Sequence, residues 1–286
     1  SDTESVKIYQ KIDSLSSLAA QYVATNEYDK MVSSLGAKGT NAYTWVDQTV
    51  YVNDIPSNGL EKWLKLEAER FNELVLRLFH TELEAVYEEF NIGQNNVYRK
   101  VNKAMNEALY PKHPYGTQTT IGKGEHLKRP SMQKIHDYFN TYYVPNNMAI
   151  VMAGDFDPEQ TIQLIEKYFG NYKAKDVPEW NRPSLAPIQQ QIKKELYSKE
   201  PASISIAWRL DGIGSEDHKI ATMIDMLLSN GRVGLMDLNL LQKQKIGDRS
   251  YSYLQGAYDY SSFMLNGQPK TGQNLEEVQE LLLQQV

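Results

Sequence analysis

Between His80 and Asn91 the chain runs His-Thr-Glu-Leu-Glu-Ala-Val-Tyr-Glu-Glu-Phe-Asn, which places four carboxylates within twelve residues. On a helix Glu82 and Glu89, seven residues apart, sit about 20° from one another, with Val86 between them on the same face. Two carboxylates on a largely apolar face are costly to bury unless a cation compensates them. A bound metal would do that, and so would Arg70, Arg77 or plain water. Glu84 and Glu88 form a second pair four residues apart, like-charged and mildly destabilising on an exposed helix. A solvated acidic helix therefore stands beside the metal-binding reading, because glutamates are mostly exposed.

The rest of the chemistry is bounded by exclusion. The chain has no cysteine, which rules out disulfides, thiolate metal sites and Cys nucleophiles; any metal must be held by His, Asp or Glu. The five histidines (His80, His113, His126, His136 and His218) form neither a His-Glu-x-x-His nor a His-x-x-Glu-His motif, so no complete zinc site is written in these residues. His80 is expected to cap or pack beside the acidic helix, and His113 and His126 to lie in a surface loop. Asp211, Asp225 and Asp237 are too scattered for a carboxylate dyad, and Gly122-Lys-Gly124 is too short for a phosphate loop. Tyr251, Tyr253, Tyr258 and Tyr260 alternate as one face of a sheet would, which predicts packing and not ligand binding. With 30 basic and 36 acidic residues the net charge is −6, the wrong sign for a nucleic-acid partner. No stretch approaches the ~18 apolar residues of a membrane span, and the polar stretch Ser1-Asp-Thr-Glu does not have the pattern expected of a signal peptide.

These groups must be positioned by regular elements. Apolar residues at three- and four-residue steps (Val6, Ile8, Ile12, Leu15, Leu18, then Tyr28, Met31, Val32) predict two helices broken near Thr25-Asn26. Thr40 to Val52, rich in aromatic and β-branched residues, predicts two strands parted at Asp47-Gln48. Asn58 with Glu61 predicts a capping-box helix through Trp63, Leu64 and Phe71. A helix is expected from about Thr81 past Val97, a Gly- and Pro-rich loop from Pro111 to Pro130, a helix from Ser131 to Tyr143 and a buried strand at Met148 to Ala153. Asp157 followed by Pro158 and Gln160 opens a helix ending near Gly170. Val177 to Pro187, with three prolines, is the expected linker. Beyond it come a strand (Ala202 to Leu210), a helix (Asp217 to Ser229), a Tyr-rich strand pair (Ser250 to Gly267) and a helix from Asn274.

The two halves share a pattern. An aromatic hairpin and a helix opened by Asn58 and Glu61 answer a Tyr-rich hairpin and a helix opened by Asn274 and Glu277. In the second half a strand and a helix precede this unit; in the first half they do not. The chain is therefore expected to be a fragment whose first half lacks its opening strand and helix.

Leu35-Gly-Ala-Lys-Gly-Thr-Asn-Ala-Tyr-Thr44, Thr49-Val-Tyr51 and the glutamates Glu82 and Glu89 around Ala85-Val86 follow in order, with His113-Pro-Tyr-Gly116, Tyr143-Val-Pro-Asn-Asn147 and Ala153-Gly-Asp155 after them. This series resembles the catalytic half of the pitrilysin/insulysin/mitochondrial-processing-peptidase family of inverted-motif zinc peptidases, over nearly the whole chain. The resemblance implies a peptidase whose zinc is held by two histidines of a His-x-x-Glu-His helix and by a downstream glutamate. That ligand maps onto Glu89, with Glu82 the supporting carboxylate, and such a zinc activates water for peptide hydrolysis. It also implies that Asn41, Ala42 and Tyr43 form an edge strand that pairs with an extended peptide substrate. The His-x-x-Glu-His motif is absent here, so zinc is expected in the whole protein and not on this chain alone, which should be inactive.

The expected fold is α+β, with two similar halves, each a mainly antiparallel sheet packed against helices on one side. Residues 1–180 would be the remainder of the catalytic half and 188–286 the start of a second, non-metal-binding half, with the linker near 177–187. The expected partners are a peptide and a homologous second peptidase-like unit. The alternative is a non-catalytic family subunit that binds peptides or assembles; a peptide-binding module outside the family is the third class. An extracytoplasmic, periplasmic location is favoured if the parent is bacterial. A first half without its opening strand and helix would leave apolar sheet surface bare. The isolated chain should accordingly self-associate and bind hydrophobic dyes; a monomer by light scattering that binds no dye would contradict this.

Overall fold

A computed structural model describes residues 2–286 except 25, 77, 78 and 129, so the compensating role weighed for Arg77 lies outside the described residues, as does the side chain of His80. In chain order the elements are α1 (Asp2–Ala20), α2 (Glu27–Ser34), β1 (Lys38–Thr44), β2 (Thr49–Asp54), α3 (Leu60–Asn72), α4 (Phe79–Gln94), α5 (Val97–Leu109) and α6 (Pro114–Thr117). There follow α7 (Gly124–Lys128), α8 (Met132–Tyr142), α9 (Pro158–Phe169), β3 (Ile204–Asp211), α10 (Glu216–Leu228), β4 (Ser250–Gln255), β5 (Tyr260–Gly267) and α11 (Leu275–Leu283). They form two compact units, residues 1–91 with 121–181, and residues 92–120 with 182–286.

Capping chemistry sets most helix starts. Side-chain oxygens of Ser131, Asp157, Ser215 and Asn274 accept hydrogen bonds from the backbone N–H three residues on, satisfying donors that a helix N-terminus leaves orphaned. Asn96 does the same for α5 and so splits the single helix expected past Val97 into α4 and α5. Asn58 does not cap: it sits in a 3-10 turn, Ser57–Gly59, and Glu61 instead accepts from Lys167 at 2.8 Å and Tyr168 at 3.0 Å on α9.

In the first unit β1 and β2 form a two-stranded antiparallel sheet with Asn41 opposite Val52, Ala42 opposite Tyr51, Tyr43 opposite Val50 and Thr44 opposite Thr49. Gly39 and Thr40 together face Asn53, a bulge made by Gly39 at φ +61°, a value glycine adopts without steric cost. The strand expected at Met148 to Ala153 is absent. That run carries no ladder, and Val151 is 91% exposed. An apolar run becomes a strand only when a neighbour bonds its backbone, and β1 and β2 bond each other.

The second unit has the sheet order β3-β5-β4, with β5 central and both ladders antiparallel. One face carries Leu265, Phe263 and Ile206 against Leu228 of α10 and Val278 and Leu282 of α11. The other carries Ala207 and Tyr260 against Met105 and Leu109 of α5, with Tyr110 and Tyr115. Helices thus cover both faces, where one was expected, because the 92–120 segment joins this unit. The tyrosine alternation of β4 also runs opposite to a core stripe: Ser250 and Ser252 point inward, and Tyr251 and Tyr253 are exposed.

Leu265 is 0% exposed in the middle of the central strand. Leu265→Ala should lower the unfolding free energy by about 2–5 kcal/mol in urea titration; an unchanged midpoint would contradict this packing.

Candidate functional site

The hairpin decides which backbone groups of β1 are available. The Trp45 N–H donates to the Gln48 carbonyl at 2.7 Å, so this pair lies on the hydrogen-bonded side of the ladder. Antiparallel pairing alternates from there: Tyr43 and Asn41 turn their N–H and C=O toward β2, and Thr44 and Ala42 turn theirs outward. Among the described residues no strand pairs with that outer edge. All seven residues of β1 are exposed, including the predicted site residues Asn41, Ala42 and Tyr43. The Ala42 N–H donates to the Oδ1 of Asn41 at 2.8 Å.

The other face of the hairpin is tied down by a buried charge. Glu67 on α3 is 4% exposed and pairs with the Arg70 guanidinium one turn on. The Tyr28 hydroxyl of α2 donates to Glu67 Oε1 at 2.6 Å, the Asn53 amide donates to the Tyr28 oxygen at 3.0 Å, and the Thr40 hydroxyl donates to Asn53 Oδ1 at 3.1 Å. Arg70 lies over the rings of Tyr28, Tyr51 and Phe71 at 4.4, 4.7 and 4.7 Å, a cation–π cage. Tyr51 and Tyr143 bring their hydroxyls to 2.9 Å. Burial first, and then the bond to Glu67, pushes the Tyr28 phenol up to about 12. Burial and the Tyr51 hydroxyl raise Tyr143 likewise. Arg70, a candidate counter-ion for Glu82 and Glu89, serves Glu67 instead. The three-residue spacing of Glu67 and Arg70 was the available signal, and it was obscured by the other charges of α3.

Glu82 and Glu89 do share one helix, α4, and both are exposed, as is Val86 between them. Among the described residues no group of three or more His, Asp or Glu side chains converges closely enough to hold a metal. The described residues therefore present no complete zinc site. His113, expected on the surface, is 1% exposed: its Nε2 lies 3.1 Å from Asp259 Oδ2, its Nδ1 accepts from the Tyr115 N–H at 3.2 Å, and Arg182 pairs with the other Asp259 oxygen at 3.1 Å. Both ring nitrogens are thus engaged within the protein, and His113 anchors the loop before α6. His126 is exposed in α7 beside Glu125.

The family model described as Peptidase M16 inactive domain matches residues 131–286, more than half of the chain. The chain belongs to the M16 peptidase family. The zinc protease PqqE of Helicobacter pylori is 23% identical over 269 residues, 90% of this chain and 59% of that protein. The insulin-degrading enzyme of Bos taurus is 30% identical over 193 residues, 63% of this chain and 18% of its own length. The crystal structure of a protease from Helicobacter pylori superposes with a TM-score of 0.78 at 22% identity, covering 92% of this chain and 64% of that one. The M16-like α+β fold is therefore shared, and the chain spans about three fifths of the length of the H. pylori relative. No helix among the described residues is long and apolar enough to cross a membrane.

The raised Tyr28 value fixes an alkaline response. The unfolded phenol releases its proton near 10.0 and the folded one near about 12, so over that interval the folded state binds more protons and loses stability as pH rises. Below that interval the contribution is fully present. Tyr28→Phe should remove part of the stability loss seen by urea unfolding across this range; an identical slope in the variant would place Tyr28 outside the network.

Proposed function

We propose that this chain is the part of a zinc-dependent endopeptidase that presents the substrate-pairing strand and the glutamate end of the metal site. The observation that carries this reading is the outer edge of β1, where Ala42 and Thr44 direct backbone groups away from β2. A peptide added there is held through its main chain, which suits extended oligopeptides or unfolded segments of varied sequence. Asn41, Ala42 and Tyr43 line that strand, Glu89 contributes a carboxylate to zinc in the whole protein, and Glu82 supports it from the same helix face. The two other zinc ligands are the histidines this chain lacks, so no step of hydrolysis is assigned to it alone, and alone it is inactive.

In the whole protein, residues 1–180 belong to the catalytic half and 188–286 begin the second half, joined near 177–187. A homologous second unit, on the same or a partner chain, closes a chamber around the peptide. The names of the relatives, zinc protease and insulin-degrading enzyme, support the activity. A second reading, a non-catalytic subunit that binds peptides or assembles, is favoured by the description of the matching family model as an inactive domain.

Zinc content and cleavage of an internally quenched peptide, measured on the full-length protein, its Glu89→Gln variant and this chain, separate the two. The peptidase reading expects zinc and cleavage in the full-length protein, a metal affinity lowered more than about 100-fold in Glu89→Gln, and neither property in this chain. A full-length protein that binds no zinc would make the subunit the correct account.

A further inference from the structure

We propose that the Asn41 side chain competes with the peptide for the backbone of β1, so that the Ala42 N–H of the empty edge is self-capped and pairing there requires Asn41 to swing away. The inference rests on the reading of β1 as the peptide-pairing strand and adds how that strand is regulated. In the ladder, Ala42 stands opposite Tyr51 in a pair that is not hydrogen-bonded, so its N–H faces the free edge. That N–H is already used: Asn41 Oδ1 accepts it at 2.8 Å. An incoming strand must offer a carbonyl to the same N–H, and one N–H does not give two oxygens a full-strength bond. The peptide therefore displaces the carboxamide oxygen.

Residue type makes this device specific. An asparagine carries an acceptor that reaches the following amide, as in the local side-chain-to-backbone bonds common to Asn and Asp; alanine at 41 would carry none. The cap also protects the chain, because a bare edge N–H is a template for pairing with another copy, and an edge whose outward donor is occupied is less adhesive. The neighbouring strand end needs no such cap to stay in place, since Thr40 is bonded to Asn53 and through it to Tyr28. Displacing Asn41 thus costs one local hydrogen bond and leaves the hairpin fixed.

The test uses this chain with a fluorescein-labelled, uncharged peptide of alternating serine and valine, followed by fluorescence anisotropy, and amide hydrogen exchange at Ala42. A neutral hydrogen bond contributes enough that its loss from the free state should tighten peptide binding about threefold to tenfold in Asn41→Ala. Asn41→Asp, whose ionised oxygen is a stronger acceptor, should weaken it. In the free chain the Ala42 amide should exchange faster in Asn41→Ala than in the wild type. Equal or weaker binding by Asn41→Ala overturns the competition, whatever the exchange shows. Absence of binding by all three chains overturns the peptide-edge reading and the competition with it. Unchanged Ala42 exchange in Asn41→Ala shows that Asn41 does not hold that amide and overturns the cap itself.

Discussion

A carboxylate removed from water must be compensated where it stands, and the first unit is built around one such group, Glu67. Arg70 joins it from the same helix, and the other members come from elements distant in the chain: Tyr28 from α2, then Asn53 of β2 and Thr40 of β1 through the Tyr28 oxygen. Breaking a buried pair by removing one member costs several kcal/mol, about 3–5 when the survivor stays buried, and somewhat less here because Arg70 keeps a quarter of its side chain in solvent. The aromatic rings of Tyr28, Tyr51 and Phe71 around Arg70 limit that solvation and fix the guanidinium plane. β1 buries none of its own side chains, so its position rests on the ladder to β2 and on this directional network.

That arrangement has a functional consequence. A strand pinned from one side and from one face leaves its other edge open with a defined polarity, and strict antiparallel alternation then selects Ala42 and Thr44 as the residues that meet an added strand. The bulge at Gly39 and Thr40 ends the regular ladder at the residue that the network grips. A peptide added along that edge would meet backbone groups first, since the edge offers the N–H and C=O of Ala42 and Thr44.

Much of this was legible in the residues. The caps at Asp157 and Asn274 follow a local rule, a short polar side chain three residues before the amide it accepts, and both occur in the structure. The hairpin was legible because a polar break divides two β-rich runs. Glu82 and Glu89 were legible as one helix face by periodicity. What escaped depends on residues distant in sequence. Met148 to Ala153 has a strand's composition and lacks a strand's partner. His113 lies in a loop of surface-like composition, and the carboxylate that pairs with it, Asp259, is 146 residues away. Arg70 is a counter-ion, but to Glu67 and not to the glutamates of α4, since only the fold decides which acidic side chain is desolvated beside it.

The central claim, that β1 accepts a peptide along its outer edge in the register set by the hairpin, is tested most directly by backbone amide chemical shifts in the chain titrated with an extended peptide. The account predicts that the amides of Ala42 and Thr44 shift most, that Asn41 and Tyr43 shift less because their N–H groups stay bonded to β2, and that the amides of β3, β4 and β5 stay in place. Shifts confined to the second sheet, or spread evenly over Asn41 to Thr44 without alternation, would contradict it.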